Sequence, residues 1–262
     1  MFSSLYTAAT GLRAQETNVD VISNNIANLS TNGFKRQRAE FQDLLYQDFL
    51  RVGTNSTNTN TIIPTGVQIG IGVSTGAVYQ ITTQGALTET DNNLDLAIQG
   101  RGYFQVELPD GQNAYTRDGS FQLNAQGQIV TAQGYLVVPG ITIPQNATAV
   151  TINSSGQVSI TQDGVLAPAI VGQLTIATFI NDAGLSQQGN NLALETEASG
   201  PPVQGDPGAP GFGTVKQGFV ENSNVDVVTE ITNLITAQRA YEQNSRVVST
   251  SDQMLQTLFQ IT

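Results

Sequence analysis

Hydrophobic and polar positions follow two different periods along this chain. In the first 29 residues the period is seven: Leu5, Leu12, Val19 and Ile26 form one track, and Ala8, Gln15, Ile22 and Leu29 a second, three positions on. That spacing, with one polar lapse at Gln15, predicts an amphipathic helix of the coiled-coil kind. Ser30-Thr31-Asn32-Gly33 supplies turn formers with a glycine where a left-handed residue ends a helix, so the helix should stop near Leu29. A second helix is predicted from about Val225 to Ile261. Val227, Leu234, Tyr241, Val248 and Leu255 repeat every seven, Ala240, Val247, Met254 and Ile261 run beside them, and Ile231, Ala237, Leu258 and Phe259 widen the stripe. This breadth exceeds the seam that a single partner helix covers.

Between the ends the period falls to two. Tyr103-Phe104-Gln105-Val106-Glu107-Leu108 alternates and meets Pro109-Asp110-Gly111, and short segments follow at 114–117, 120–123, 128–131 and 135–138. Asp110-Gly111, Asp118-Gly119 and Asn124–Gly127 read as hairpin turns. Further strands are predicted at 149–153, 157–161 and 170–180, which makes roughly 75–190 an antiparallel β domain. Residues 53–61 (GTNSTNTNT) and 199–213 (SGPPVQGDPGAPGFG) read as linkers flanking it. Residues 40–72 are expected to form an extended hairpin-like arm that touches adjacent subunits.

Composition narrows the chemistry. The 262 residues contain no Cys, no His and no Trp, which excludes a Ser-His-Asp triad, a thiol nucleophile, disulfides and the usual zinc, haem or iron–sulfur ligand sets. Charged residues make up 12% of the chain and the net charge is −11, so a polyanion partner is disfavoured. The charge is also uneven: residues 1–51 are net zero, 216–262 net −2, and 52–215 net −9, with Arg101 and Arg117 the basic residues of that stretch. Near-neutral ends can pack beside copies of themselves, while an acidic middle prefers water. No apolar run approaches the roughly 20 residues of a membrane helix. No cleavable leader is visible, and export by a route that leaves none is the expectation.

The remaining motifs favour structural readings. Gly70, Gly72 and Gly76 lack the lysine and the βαβ context of a phosphate loop, so a twisted strand is expected there. Gly100-Arg101-Gly102 reads as a tight approach between strands. Glu89/Asp91/Asp95 and Glu195/Glu197 read as solvated loop carboxylates, and Asp91–Asp95 fails the EF-hand template. The basic segment Phe34–Arg38 reads as a helix-end complement or an interface. The terminal helices could pair within one chain, but a lone pair would leave half of the wide stripe wet. Burying an apolar side chain is worth about 1.5–3 kcal/mol, so sharing the stripe among copies is favoured.

Two terminal motifs bring in a resemblance. Ser23-Asn24-Asn25-Ile26-Ala27-Asn28-Leu29-Ser30-Thr31-Asn32-Gly33-Phe34-Lys35-Arg36 resembles the N-terminal signature of the bacterial flagellar rod and hook proteins. Gly218-Phe219-Val220-Glu221-Asn222-Ser223-Asn224-Val225, with Gln238-Arg239-Ala240-Tyr241-Glu242 and Ser249 to Leu255, resembles the family's other end. Phe41–Tyr46, Tyr115–Phe121 and the overall length resemble its distal-rod branch.

The resemblance implies an α+β fold: a coiled-coil domain from the terminal helices (1–30 plus 225–262), a connecting region with an extended arm (31–74 plus 214–224) and a central antiparallel β domain (75–213). It implies a structural subunit that polymerises into a helical tube, transmits torque from motor to hook and encloses the export channel. Partners would be the chain itself, the proximal rod, the hook, the ring proteins of peptidoglycan and outer membrane that form the bushing, and the export apparatus. Neither nucleic acid nor membrane insertion is expected, and the place would be the basal body between periplasm and outer membrane. No enzymatic activity, cofactor or metal is expected. Subunit-interface candidates are Leu5, Leu12, Val19, Ile22, Ile26, Leu29, Val227, Ile231, Leu234, Tyr241, Val248, Met254, Leu255 and Phe259. Motif candidates are Asn24, Asn25, Asn28, Gly33, Phe34, Ser223, Asn224, Gln238 and Arg239; the three asparagines are expected to bond neighbouring backbone where Gly33 reverses the chain. A proximal-rod paralogue, a carbohydrate-active protein using its Asp/Glu pairs, and a β-rich binding or adhesin module are the alternatives.

Overall fold

A computed structural model describes residues 2–50, 65–162 and 167–261, and the low-complexity tract 53–61 lies outside them. The chain is α+β, with an N-terminal helix, a β-rich central region and a C-terminal helix. It divides into two compact units: a terminal unit of Met1–Ile26, Gln37–Tyr79 and Asp226–Thr262, and a central unit of Ala27–Arg36 and Gln80–Val225. Among the described residues no helix is long and apolar enough to cross a membrane.

The terminal unit holds helix α1 (Phe2–Ala27) and helix α2 (Val227–Ile261). α2 runs for 35 residues, about 52 Å at 1.5 Å per residue. It begins two residues later than its periodicity predicts. Asp226 caps it, its carboxylate accepting the Thr229 N–H at 3.2 Å and the Thr229 hydroxyl. α1 ends short of Leu29, because the Thr31 N–H turns back to Asn28 O at 3.2 Å and Gly33 takes φ +69°.

Residues 37–50 and 65–80 form a long hairpin. Gln37–Asp43 pairs with Val73–Gln80, and Tyr46–Leu50 pairs antiparallel with Val67–Gly70. Bonds from Leu44 N to Gly72 O and from Ile71 N to Leu45 O join the two ladders. Gly70 and Gly76 therefore lie in strands. Gly72, at φ +131°, passes so close to α1 that a Cβ there would sit 2.1 Å from Thr10 Oγ1.

The central unit is built on a nine-stranded sheet with a three-stranded sheet (Ala147–Ile152, Gln157–Gln162, Ala169–Gln173) and smaller pairs beside it. Tyr103–Glu107 and Asn113–Thr116 pair antiparallel through the turn at Asp110-Gly111, as their alternation predicts. Phe104 and Val106 enter the main core with Phe121, Ile129, Val158 and Ile176. Tyr103 and Tyr115 pack with Phe179, Leu185 and Ala193 in a second cluster, where the Tyr115 and Phe179 rings meet edge-on at 4.8 Å.

Three sequence expectations change here. Asp118-Gly119 is no hairpin turn. Asp118 Oδ1 accepts from Ser120 N and Oγ, and Gly119 lies flat against Leu96, where a Cβ would meet Leu96 O at 1.6 Å. The strand Gln122–Leu123 pairs onward with Ile129–Val130 instead. The predicted strand 170–180 breaks in two: Ala169–Gln173 joins the small sheet, and Ile176–Thr178 pairs with Tyr103 and Phe104 in the large one. Residues 199–213 are not a linker. Val203–Gly205 pairs with Ile176–Thr178, Phe212 packs on the core, and Gly213 N bonds Arg101 O at 2.7 Å. Gly213 serves close backbone approach, since a Cβ there would lie 2.6 Å from Gln99 O, and composition alone cannot tell that from looseness.

Candidate assembly surface

In the terminal unit α1 and α2 run antiparallel, and two contacts define their line of approach. Asn25 Nδ2 donates to Glu230 Oε2 at 3.3 Å, and Asn244 lies over Gly11, where a Cβ would be 2.9 Å from its Nδ2. Both contacts are thus made by polar groups and a glycine. Asn25, Glu230, Ala237 and Ser251 are buried, together with Ala8, Ala14, Val21 and Ile22.

The apolar heptad tracks flank this line. Leu5, Leu12, Val19 and Ile26 are half-buried, as are Val227, Leu234, Val248 and Leu255, and Ile22 is buried. Ile231, Tyr241, Met254 and Phe259 are exposed, Phe259 to 78%. Val19 and Tyr241 line an open groove of about 410 Å³ with Glu16, Asp20, Gln238 and Glu242. Val228, 74% exposed, and Ile235 extend the uncovered face. They escaped the sequence reading, although they too stand seven apart. The hairpin adds Leu45 (84% exposed), Tyr46, Phe49, Val67 and Ile69.

The motif residues fall into two groups. Asn25 brackets Gln37, accepting its N–H and donating to its C=O, each at 2.8 Å. Asn24, Gln238 and Arg239 are exposed on their helices. The others belong to the central unit, where Leu29 and Phe34 are half-buried. Asn28 Oδ1 accepts the Thr31 hydroxyl at 3.1 Å. Gly33 N bonds Glu221 O at 2.7 Å, and a Cβ on Gly33 would collide with the Arg117–Asp118 peptide. Asn224 accepts the Arg36 N–H at 2.7 Å and donates to Ile81 O and Thr83 O. Ser223 is half-buried beside it.

These motif segments meet at a buried ionic node that sequence reasoning missed. Glu221, its side chain fully buried, pairs with Lys35 Nζ at 2.5 Å and Arg117 Nη1 at 3.3 Å. It also accepts the Gly85 N–H at 2.9 Å. Lys35 further donates to Thr83 O, and Arg117 Nη2 to Gly100 O. Burial pushes the Lys35 ammonium below the usual lysine value, while the neighbouring Glu221 carboxylate acts against that shift. The basic segment 34–38 is therefore no helix-end complement: Lys35 is an internal ion-pair partner. The hint in the sequence was Arg117, one of two basic residues between positions 52 and 215.

Asp95 is satisfied by Thr90 Oγ1 and Asn92 Nδ2, and Glu89, Asp91, Glu195 and Glu197 are exposed. Among the described residues no group of three or more acidic side chains could hold a metal ion.

Comparison with known proteins fits this layout. Residues 5–35 match the family described as flagella basal body rod protein, 97–160 the flagellar hook protein FlgE/F/G D1 domain, and 216–261 the flagellar basal body rod FlgEFG protein C-terminal family. The flagellar basal-body rod protein FlgG of Caulobacter vibrioides is 60% identical over 98% of this chain and 98% of its own. That of Buchnera aphidicola is 51% identical over the whole of both chains, and that of Bacillus subtilis 41% over 98% of each. The Bacillus subtilis flagellar hook-basal body complex protein FlhP is 31% identical over 97% of each. With both terminal motifs matched and full-length identity well above what a shared fold alone requires, this chain belongs to the flagellar basal-body rod protein family.

Proposed function

We propose that the chain is the structural subunit of the flagellar distal rod, a helical homopolymer that transmits torque to the hook and encloses the export channel. The observation that carries this reading is the apolar face of α2, from Val228 to Phe259, which α1 leaves uncovered. In the polymer, α1 and α2 form a coiled-coil domain (1–30 plus 225–262) that packs into the inner tube through Leu5, Leu12, Val19, Leu234, Val248, Leu255 and their neighbours. The connecting region (31–74 plus 214–224) carries the hairpin arm against adjacent subunits, and the β domain (75–213) lies outside. The acidic middle of the chain faces the ring proteins of the bushing, where like-charged, Lys-poor surface resists sticking. The proximal rod and the hook are the axial neighbours. The subunit reaches its place between periplasm and outer membrane through the flagellar export apparatus, and it has no catalytic role.

Concentrating the purified chain tests the reading. Electron microscopy should show tubes with helices lining a central channel. A chain lacking residues 2–27 should fail to form them, and cells carrying it should not swim, while its central unit keeps its β signal in circular dichroism. A wild-type chain that stays monomeric at every concentration, with both helices protease-resistant, sinks it.

A further inference from the structure

The two contacts between α1 and α2 share one register. Gly11 and Asn25 are 14 residues apart, and so are their partners Asn244 and Glu230. Stepping by seven along this antiparallel line sets Ser4, Gly11, Asn18 and Asn25 opposite Ser251, Asn244, Ala237 and Glu230. Every residue on it is small or polar, although each helix carries a full apolar track beside it. Asn25 and Glu230 are each 1% exposed, and Ala237 and Ser251 each 2%.

We propose that this polar line is a register key for the chain's own helix pair, and that it reserves the flanking apolar tracks for a second copy of the chain. The proposal rests on the axial-polymer reading and adds to it which face pairs within a chain and which between chains. Apolar heptads alone choose a register poorly, since a slip of seven residues brings leucine back onto leucine. Buried polar residues select one alignment at some cost in stability. Here the selection is steric as well as polar: Asn244 fits over Gly11, which has no side chain, whereas a one-heptad slip sets it against Asn18 or Ser4. Because the contacts on this line are made by Gly11, Asn25, Glu230 and Asn244, the leucines are turned to the sides of the pair. There each is only half-covered, and the second copy that would complete the burial is one presenting the same tracks.

The absence of cysteine makes the test clean. The place of a Cβ on Gly11 is 3.2 Å from Asn244 Cγ, close to the span from a Cβ to the far sulfur of a disulfide. The Gly11→Cys/Asn244→Cys chain is polymerised, oxidised, then dissolved in denaturant without reductant. The key requires a cross-link within each chain, so the product keeps the monomer mass. Cross-linked dimers and ladders would overturn it, even though polymerisation itself would leave the axial reading standing. If the wild-type chain forms no polymer, the axial reading fails, and oxidising the soluble variant still tests the register. Asn244→Leu tests the reserving role. It should let the apolar tracks pair within the chain, so that helicity is kept or raised while polymer yield falls at least tenfold. Unchanged polymer yield, or loss of helicity, would overturn that role.

Discussion

Lys35 Nζ and Glu221 Oε1 lie 2.5 Å apart although 186 residues separate them, and the carboxylate's other oxygen holds Arg117 at 3.3 Å. One carboxylate thus fastens the segment after α1, the segment before α2 and a core strand end within the central unit. Both family signature motifs owe part of their content to this node: Gly33 must be glycine to pass the Arg117 backbone, and Asn224 bonds the backbone at Arg36, Ile81 and Thr83.

Removing Glu221 should therefore be costly. Glu221→Ala leaves two buried cations without their counter-charge, and losing one partner of a buried pair costs about 3–5 kcal/mol. Urea unfolding of the full chain, followed by the near-ultraviolet signal of the tyrosines in the central unit, should show a midpoint far below wild type. Lys35→Met should cost less, since it leaves the Glu221–Arg117 pair in place.

Glycines separate by what faces them. Gly119→Ala would drive a Cβ to 1.6 Å from Leu96 O, a backbone atom held by its own ladder, so the central unit should fail to fold or lose most of its stability. Gly111→Ala meets nothing within 4 Å and carries only the strain of φ +80°, about 1–2 kcal/mol. Thermal melts of the two variants should differ by tens of degrees; similar melts would refute the close approach at Leu96.

Alkaline pH should loosen the central unit. Burial, with Asp182 nearby, pushes Tyr103 up to about 12, and burial with Glu195 nearby does the same for Tyr115. Their contribution is fully present below pH 10, the unfolded value, and is lost as pH rises towards 12. At roughly 1.4 kcal/mol per unit, Tyr103 accounts for about 2–3 kcal/mol, and Tyr115 acts in the same direction. Denaturant midpoints should fall through this window, and tyrosinate absorbance should show two late-titrating tyrosines that Tyr103→Phe and Tyr115→Phe remove one at a time.

Asn25→Ala should act on the terminal unit alone. It leaves both backbone groups of Gln37 without their partners and removes the bond to Glu230, a loss of about 1–3 kcal/mol. Hydrogen exchange should quicken at Gln37 and along the facing turns of α1 and α2, with the central strands unchanged.

Much of this architecture is legible in the residues themselves. Heptads announce both helices and place their inner ends, expected near Leu29 and Val225, within two residues of the observed Ala27 and Val227, and alternation at Tyr103–Leu108 announces the first central hairpin. These signals are local: period, cap and turn act within about a dozen positions. The Lys35–Glu221 pair, the flat passage of Gly119 under Leu96 and the strand at 203–205 are invisible at that range, because each depends on what a distant segment brings alongside.

The sequence by itself determined that this protein has apolar helical ends, an acidic β middle and no thiol or imidazole chemistry, since periodicity and composition need no partner to be read. Only the tertiary structure decided which helix faces meet. Leucine tracks repeat every seven residues and pack acceptably in several alignments, so the choice fell to Gly11, Asn25, Glu230 and Asn244. Their shape and hydrogen bonding tell one alignment from another only once the two helices lie side by side.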